Sequence, residues 1–164
     1  MNPKQYNQIV DEYADGLYRF ILKNIRDEET AQDVVQDAFE KVWLNHEKVE
    51  FLKAKSYLFT TAYHTMIDHI RKNKRIVKME DYHENAMYYS YEYTDVKELL
   101  NRGLEMLPAS QKSVLLLRDY EGYSYEEIEG ITGLNENQVK VYIHRARLFL
   151  RAFIQRMEGF YNGN

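Results

Sequence analysis

Cysteine is absent from this chain of 164 residues, and glycine and proline are scarce, at seven and two. Without cysteine the chain forms no disulfide and no Cys-ligated zinc or iron–sulfur centre, which is typical of proteins of a reducing cytoplasm. The five histidines are scattered and show no HExxH-like pairing, so we expect no metal and no cofactor. No run of about 18 apolar residues is present, so no transmembrane helix is predicted. We expect a cytoplasmic protein.

The local patterns of an enzyme are also missing. The sequence contains no phosphate-cradling glycine-rich loop and no nucleophile–base pair at a recognisable spacing. Its hydrophobic content of 45% and charged content of 29% are typical of an ordered globular protein. The formal charge of -4 argues against a bulk nucleic-acid coat protein, since those are basic throughout. We therefore expect a protein that is not an enzyme and has no small-molecule substrate.

Helical periodicity is what the chain has in abundance. No alternating strand pattern and no hairpin signal interrupts it. Amphipathic helices repeat apolar residues at spacings of three and four. Four segments show this pattern: about 6–23, 30–43, 55–73 and 96–107.

The periodicity fades between Met79 and Asp95. This segment has five tyrosines and several acidic residues but hardly any aliphatic ones. Such a composition favours a tether over a packed core element. We predict an all-α fold of two small helical domains, 1–76 and 96–160, joined by an acidic, Tyr-rich flexible linker over 77–95.

Positive charge is concentrated near the end of each predicted domain. Neither 69–78 nor 140–156 contains an acidic residue. Cations favour helix C-termini for electrostatic reasons alone, so either cluster has a purely structural explanation. Two clusters, each beside a structural motif, instead favour two contacts to one polyanion. Their cations include Arg71, Lys72, Lys74, Arg75 and Lys78, then Lys140, Arg145, Arg147, Arg151 and Arg156.

A helix-turn-helix pattern lies in the last third of the chain. Ser124 is a good N-cap, and Glu127 three residues later completes a capping box. Gly133 supplies the turn, and Asn135 can cap the second helix. In a helix-turn-helix this second helix enters the DNA major groove. An ordinary three-helix bundle with a solvated basic face is the alternative.

The second helix has one apolar and one polar face. At about 100° per residue the buried stripe consists of Val139, Ile143, Ala146, Leu150 and Phe153. Bases are read from the N-terminal turns of such a helix, whereas residues farther along contact phosphate. The predicted base contacts are Asn137, Lys140, Val141, His144 and Arg145, and the predicted phosphate contacts are Arg147 and Arg151.

These motifs resemble those of bacterial RNA polymerase sigma factors of the extracytoplasmic-function (ECF) group. The C-terminal half is similar to sigma region 4 through Leu107-Pro108-x-x-Gln111-Lys112, Tyr123-Ser124-Tyr125-Glu126-Glu127-Ile128, and Val139-Lys140 followed by His144-Arg145-Ala146-Arg147. The first half is similar to sigma region 2 through Ala31-Gln32-Asp33-Val34-Val35-Gln36-Asp37-Ala38-Phe39 with Trp43, and through Tyr57-Leu58-Phe59-Thr60-Thr61-Ala62 followed by Ile67-Asp68-His69-Ile70-Arg71-Lys72.

The resemblance implies a protein that binds core RNA polymerase and promoter DNA. Region 2 would bind polymerase, recognise the −10 element and hold its melted strand, and region 4 would read the −35 element. Such proteins direct promoter-specific initiation and perform no bond chemistry. An inhibitory anti-sigma protein is a further expected partner.

The polymerase-binding residues that the resemblance implies lie on the second helix. Asp33, Gln36, Asp37 and Glu40 share one side of it at spacings of three and four. This acidic and amide-bearing face suits a basic, helical partner surface, which in sigma factors is the polymerase clamp. A solvated helix face is the alternative. Trp43 is expected in the core, and a contact with the partner is the alternative.

The −10 residues that the resemblance implies lie in the loop after the second helix and in the third helix. The loop at about His46–Ala54 would capture a flipped base, and the third helix would supply the wedge and the backbone contacts. Tyr63 and His64 stand where an Arg-Asn pair is common, so Tyr63 either stacks on a base or is buried. The candidates for −10 binding and melting are Tyr63, His64, Arg71, Lys72, Lys74 and Arg75.

The −35 residues combine the helix pattern with the resemblance. Val141 and Tyr142 replace polar and basic residues that are common in the family, so the −35 sequence itself is not predicted. The −35 candidates are Ser124, Asn137, Lys140, Val141, His144, Arg145 and Arg147. Two other functions fit the helices alone: a stand-alone helix-turn-helix regulator that binds a palindrome as a dimer, and a helical adaptor that binds protein only.

Overall fold

The computed structural model describes the backbone of residues 1–79 and 95–161 and the side chains of residues 1–73 and 95–159. All regular structure in these ranges is helical. None of the helices described there is long and apolar enough to span a membrane. The helices are α1 (Pro3–Ile25), α2 (Glu28–Leu44), α3 (Ala54–Met79), α4 (Val96–Met106), α5 (Ala109–Leu115), α6 (Tyr125–Thr132) and α7 (Glu136–Tyr161).

The first module consists of α1, α2 and α3, which pack against one another. Asn2 and Gln5 form a capping box at the start of α1. Arg26 ends this helix with a φ of 65°, a left-handed conformation that non-glycine residues rarely adopt. Asp27 then caps α2 by accepting a hydrogen bond from the Thr30 backbone. Two caps on adjacent residues reverse the chain within a single short turn.

The second module consists of α4 to α7. Pro108 forms the N-cap of α5. A π-helical turn, Leu116–Tyr120, continues α5. The predicted capping box of α6 is confirmed, because Ser124 Oγ accepts from the Glu127 backbone at 3.1 Å and Glu127 Oε1 accepts from Ser124 N at 3.1 Å.

The turn between α6 and α7 also follows the prediction. Gly133 ends α6 with a φ of 78°, which glycine adopts without steric cost. Asn135 caps α7: its Oδ1 accepts from the Gln138 backbone at 2.8 Å, and its own N–H donates to Gln138 Oε1 at 3.0 Å. The predicted apolar stripe of α7 is confirmed as buried: Val139, Ile143, Ala146, Leu150 and Phe153.

Buried apolar residues of both modules form one continuous cluster. The modules meet where α3 packs on α6 and where α1 packs on α5. α3 extends to Met79, beyond the predicted helix end near Asn73. Residues 80–94 of the predicted linker lie outside the described residues.

Candidate nucleic-acid and protein interfaces

The acidic face predicted on α2 lies at the surface. Asp33, Gln36 and Glu40 are exposed, and the Asp37 side chain retains 42% of its accessible surface. Asp37 Oδ2 accepts from Lys41 Nζ at 3.0 Å, so one cation partly neutralises the C-terminal half of the face. The opposite side of the helix is buried through Ala31, Val34, Ala38 and Val42. The structure therefore brings the four predicted residues together on one solvent-facing side.

The prediction that Trp43 belongs to the core is wrong. Its side chain is 39% exposed, and its ring stacks on His46 with the ring centroids 4.3 Å apart. Val42 holds the buried position in this turn, and the next residue is rotated by about 100° around the helix. Tyr6 also packs against Trp43, with the ring centroids 5.0 Å apart and the rings tilted by 57°. Trp43 and Glu40 border a groove of about 360 Å³ beside the acidic face.

A second groove lies beside the loop between α2 and α3. Its volume is about 370 Å³, and it is lined by Asn45, Lys48, Val49, Glu50, Lys53 and Tyr57. Leu52 in the same loop is 92% exposed. The sequence predicted a role for the loop as a whole but not the exposure of Leu52, because the short 3-10 helix that contains it, Phe51–Lys53, has too few residues to show a helical period.

The −10 candidates on α3 differ in accessibility. Tyr63 is only 7% exposed, and burial raises the pKa of its hydroxyl. Tyr63 was predicted either to stack on a base or to be buried, and in this structure it is buried. His64, Arg71 and Lys72 are exposed. The side chains of the remaining two candidates lie outside the described residues: Lys74 and Arg75.

The N-terminal face of α7 is open to solvent. Asn137, Val141, His144 and Arg145 are all exposed, and Val141 retains 42% of its accessible surface. An exposed apolar residue among polar and basic ones fits a DNA major groove, where thymine presents a methyl group. Sequence and structure place these four predicted residues on one surface.

Three other −35 candidates make contacts within the protein. Ser124 Oγ is used by the α6 cap. Lys140 Nζ pairs with Glu136 at 2.7 Å, which raises the pKa of the lysine. Arg147 donates to both carboxylate oxygens of Asp119, at 3.0 and 2.5 Å, and this pairing raises the pKa of the guanidinium. Glu136 and Asp119 therefore position Lys140 and Arg147 next to the exposed face of α7.

The described part of the chain contains no group of three or more His, Asp or Glu side chains that could hold a metal ion.

Comparison with known families and structures matches both modules. The family described as Sigma-70 region 2 matches residues 9–76, and the family described as Sigma-70, region 4 matches residues 97–150. The RNA polymerase sigma factor SigV of Bacillus subtilis (strain 168) is 31% identical over 149 residues, which are 87% of this chain and 86% of SigV. The ECF RNA polymerase sigma factor SigM of the same organism is 28% identical over 155 residues, 92% of this chain and 95% of SigM.

Solved structures agree on the fold. The sigma factor RpoE from Bartonella quintana, crystallised with the anti-sigma factor NepR, superposes with a TM-score of 0.76 at 24% identity, covering 93% of this chain and 98% of RpoE. CnrH in complex with the cytosolic domain of CnrY gives a TM-score of 0.69 at 21% identity, covering 94% of this chain and 90% of CnrH. Both sigma regions match in the expected order, and one sigma factor is more than 30% identical over most of the chain. The chain therefore belongs to the ECF group of RNA polymerase sigma factors.

Proposed function

We propose that the chain recruits core RNA polymerase through α2 and directs it to promoters by reading the −35 element with α7 and the −10 element with α3 and the loop before it. The single observation that supports this most is that one chain presents a solvent-facing acidic side on α2 and an open, polar and basic N-terminal face on α7. The role requires binding and strand separation but no bond chemistry. Because polymerase and the chromosome are cytoplasmic in bacteria, the role also implies a cytoplasmic protein.

Promoter melting at the −10 element requires a site for an unstacked base. The groove of about 370 Å³ beside the α2–α3 loop is a suitable size and has both apolar and charged walls. Contacts of a base with such a site are worth about 1–3 kcal/mol, comparable to the stacking that the base loses. We assign this groove to the flipped base, and the exposed cations Arg71 and Lys72 to the phosphates beyond it.

An anti-sigma protein is a further proposed partner. The solved structures of RpoE and CnrH each contain a second protein, which is the anti-sigma factor NepR for RpoE and the cytosolic domain of CnrY for CnrH. An open groove of about 490 Å³ on the second module of this chain is lined mainly by apolar atoms of α4, α5 and α7. We propose this groove as a seat for an apolar side chain of the inhibitor.

Transcription with purified core polymerase tests the proposed function. Run-off transcripts from sheared genomic DNA should begin at a small set of sites that share one −35 and one −10 sequence. Core polymerase alone is the control for non-specific initiation. A transcript pattern identical with and without the chain would contradict the proposal.

Val141 gives a sharper test of the −35 assignment. We expect its exposed side chain to contact a thymine methyl group, so replacing one −35 thymine by uracil should weaken binding about fourfold, the equivalent of roughly 0.8 kcal/mol for one buried methyl group. In Val141→Ala the same replacement should have little effect. Polymerase-dependent binding to each duplex would be measured by competition.

A matched control for Val141 lies two turns along the same side of α7. Leu148 is exposed to 48%, but it lies beyond the N-terminal turns that read bases. Leu148→Ala should keep the full sensitivity to uracil. If replacing each −35 thymine by uracil in turn leaves the affinity of the unmodified chain unchanged, the role assigned to Val141 is wrong. The assignment of the −35 surface to α7 would not be affected by that result.

A further inference from the structure

A tyrosine at the start of α6 lies beside α7. Tyr125 is the first residue of α6, directly after the cap Ser124, and its partly buried ring packs against the hydrophobic core. The first helix of a helix-turn-helix crosses the DNA backbone, so phosphates of a bound duplex are expected near this end of α6. Because the core holds the ring in place, the side chains that contact the ring share one fixed support.

In the described part of the second module, three cationic side chains meet at Tyr125. The Arg118 guanidinium lies over the ring, with Cζ 4.6 Å from the ring centroid, and the Lys140 ammonium lies 5.6 Å from the same centroid. Both distances are within the roughly 6 Å over which the negative face of an aromatic ring attracts a cation. Arg147 is the third cation: its pairing with Asp119 and, to a smaller extent, its interaction with the Tyr125 hydroxyl raise the pKa of its guanidinium.

Each of these cations also has a polar partner. Arg118 Nη1 donates to the Tyr123 carbonyl at 2.9 Å. The polar partners of Lys140 and Arg147 are the two carboxylates described above. Because two groups hold each cation, it loses much of the rotamer freedom that a long side chain has on an open surface. Ordering long side chains at an interface costs affinity, so cations that are already ordered in the free protein bind more tightly.

The cations around Tyr125 border the exposed N-terminal face of α7. Arg147 follows Lys140 by seven positions, which is about two helical turns, so both side chains lie on one side of α7. Both are exposed to solvent. Because Tyr125 interacts with both of them, it lies alongside the two turns that separate them.

We propose that Tyr125 is a positioning residue of the −35 surface, which holds Arg118, Lys140 and Arg147 in the arrangement in which they bind DNA phosphates. The tyrosine acts through these cations and contacts no base. This assigns Lys140 to the DNA backbone, whereas the sequence predicted a base contact for it. The inference rests on the proposed function for the place of the DNA, but its test needs neither polymerase nor a promoter. Phosphate contacts carry no sequence information, so Tyr125 should control the affinity for any duplex.

Two substitutions of Tyr125 separate the role of the ring from that of the hydroxyl. Tyr125→Leu removes the ring but keeps an apolar side chain for the core, whereas Tyr125→Phe keeps the ring and loses only the hydroxyl. Tyr18→Leu is the matched control, because Tyr18 is also a partly buried tyrosine packed against the core, but it lies on α1 in the first module. Fluorescence anisotropy would measure the affinity of each full-length variant for random-sequence duplex DNA at several salt concentrations.

Tyr125→Leu should bind duplex DNA about tenfold more weakly, because its cations must then be ordered at the phosphates. The slope of log affinity against log salt concentration should become shallower by about one, the contribution of one phosphate contact. Tyr125→Phe, which keeps the ring, should stay within about threefold of the unmodified chain, and Tyr18→Leu should match it. Equal affinity or an equal salt slope for Tyr125→Leu and the unmodified chain would overturn the proposal, as would an unmodified chain without salt-dependent affinity for duplex DNA.

A double-mutant cycle distinguishes positioning from a general loss of stability. Arg147→Gln should weaken binding about fivefold in the unmodified chain but at most about twofold in the Tyr125→Leu chain, because the tyrosine no longer holds the arginine there. Losses that simply multiply would contradict the proposal. Circular dichroism checks that each variant keeps its helices.

Arg118→Gln keeps the test decisive if Tyr125→Leu does not fold. It leaves the core intact and removes the guanidinium from the ring, so it should weaken duplex binding about threefold and make the salt slope shallower. Unchanged affinity in this variant would overturn the role of the ring. Failure of the proposed function is distinguishable, because the variants would then bind random duplex DNA as described while core polymerase initiated at no specific site.

Discussion

Replacing Gly103 by valine should lower the free energy of unfolding by about 2–3 kcal/mol, a large part of the 5–15 kcal/mol that holds a typical domain together. α4 packs closely against α7 at this residue. A β-carbon built on Gly103 would lie 2.7 Å from Leu150 Cδ2 and 3.1 Å from Phe153 Cδ1. Alanine would require the flexible end of Leu150 to move, whereas the two further methyl groups of valine would push α4 away from α7.

Gly130 provides the matched control. It lies inside α6, and a β-carbon there meets nothing within 4 Å. Gly130→Ala should stabilise the protein by about 0.5–1 kcal/mol, because it reduces the conformational freedom of the unfolded chain. Guanidinium denaturation followed by circular dichroism would measure both changes. Equal unfolding midpoints for Gly103→Val and the unmodified chain would refute the close approach of α4 and α7.

Features that depend on residues three or four apart could be predicted from the sequence. The capping box at Ser124, the N-cap at Asn135 and the buried stripe of α7 follow from local helix geometry. Each is determined within one or two turns, so a single sequence contains all the information needed.

Features that join distant parts of the chain could not be predicted. The ammonium of Lys112 donates a hydrogen bond to the backbone oxygen of Asn24, which lies 88 positions earlier in the chain. No local pattern around either residue indicates this partner. The close approach at Gly103 depends on how α4 and α7 pack, so the residue is only a weak helix former when considered alone. Trp43 was misassigned because hydrophobicity alone does not indicate which residue of a turn faces the core.

Reversing charge on the acidic face of α2 should have the largest effect on function. Asp33→Lys with Asp37→Lys should weaken binding to core polymerase on the order of 100-fold, because like charges set against a basic partner surface cost several kcal/mol. The helix itself should lose only the pair between Asp37 and Lys41, about 0.3–0.5 kcal/mol. Fluorescence anisotropy of the labelled chain, titrated with core polymerase, would measure the change.

The control for this face makes the same charge change at the same spacing on another helix. Asp11 and Asp15 are exposed on α1, so Asp11→Lys with Asp15→Lys matches the altered net charge without touching α2. A similar loss of affinity in both double variants would mean that net charge, and not the α2 face, governs binding. Because the −35 surface that we propose lies on α7, we expect the α2 variant to bind duplex DNA with the same weak, salt-dependent affinity as the unmodified chain. Equal DNA affinity would separate a damaged polymerase interface from an unfolded protein.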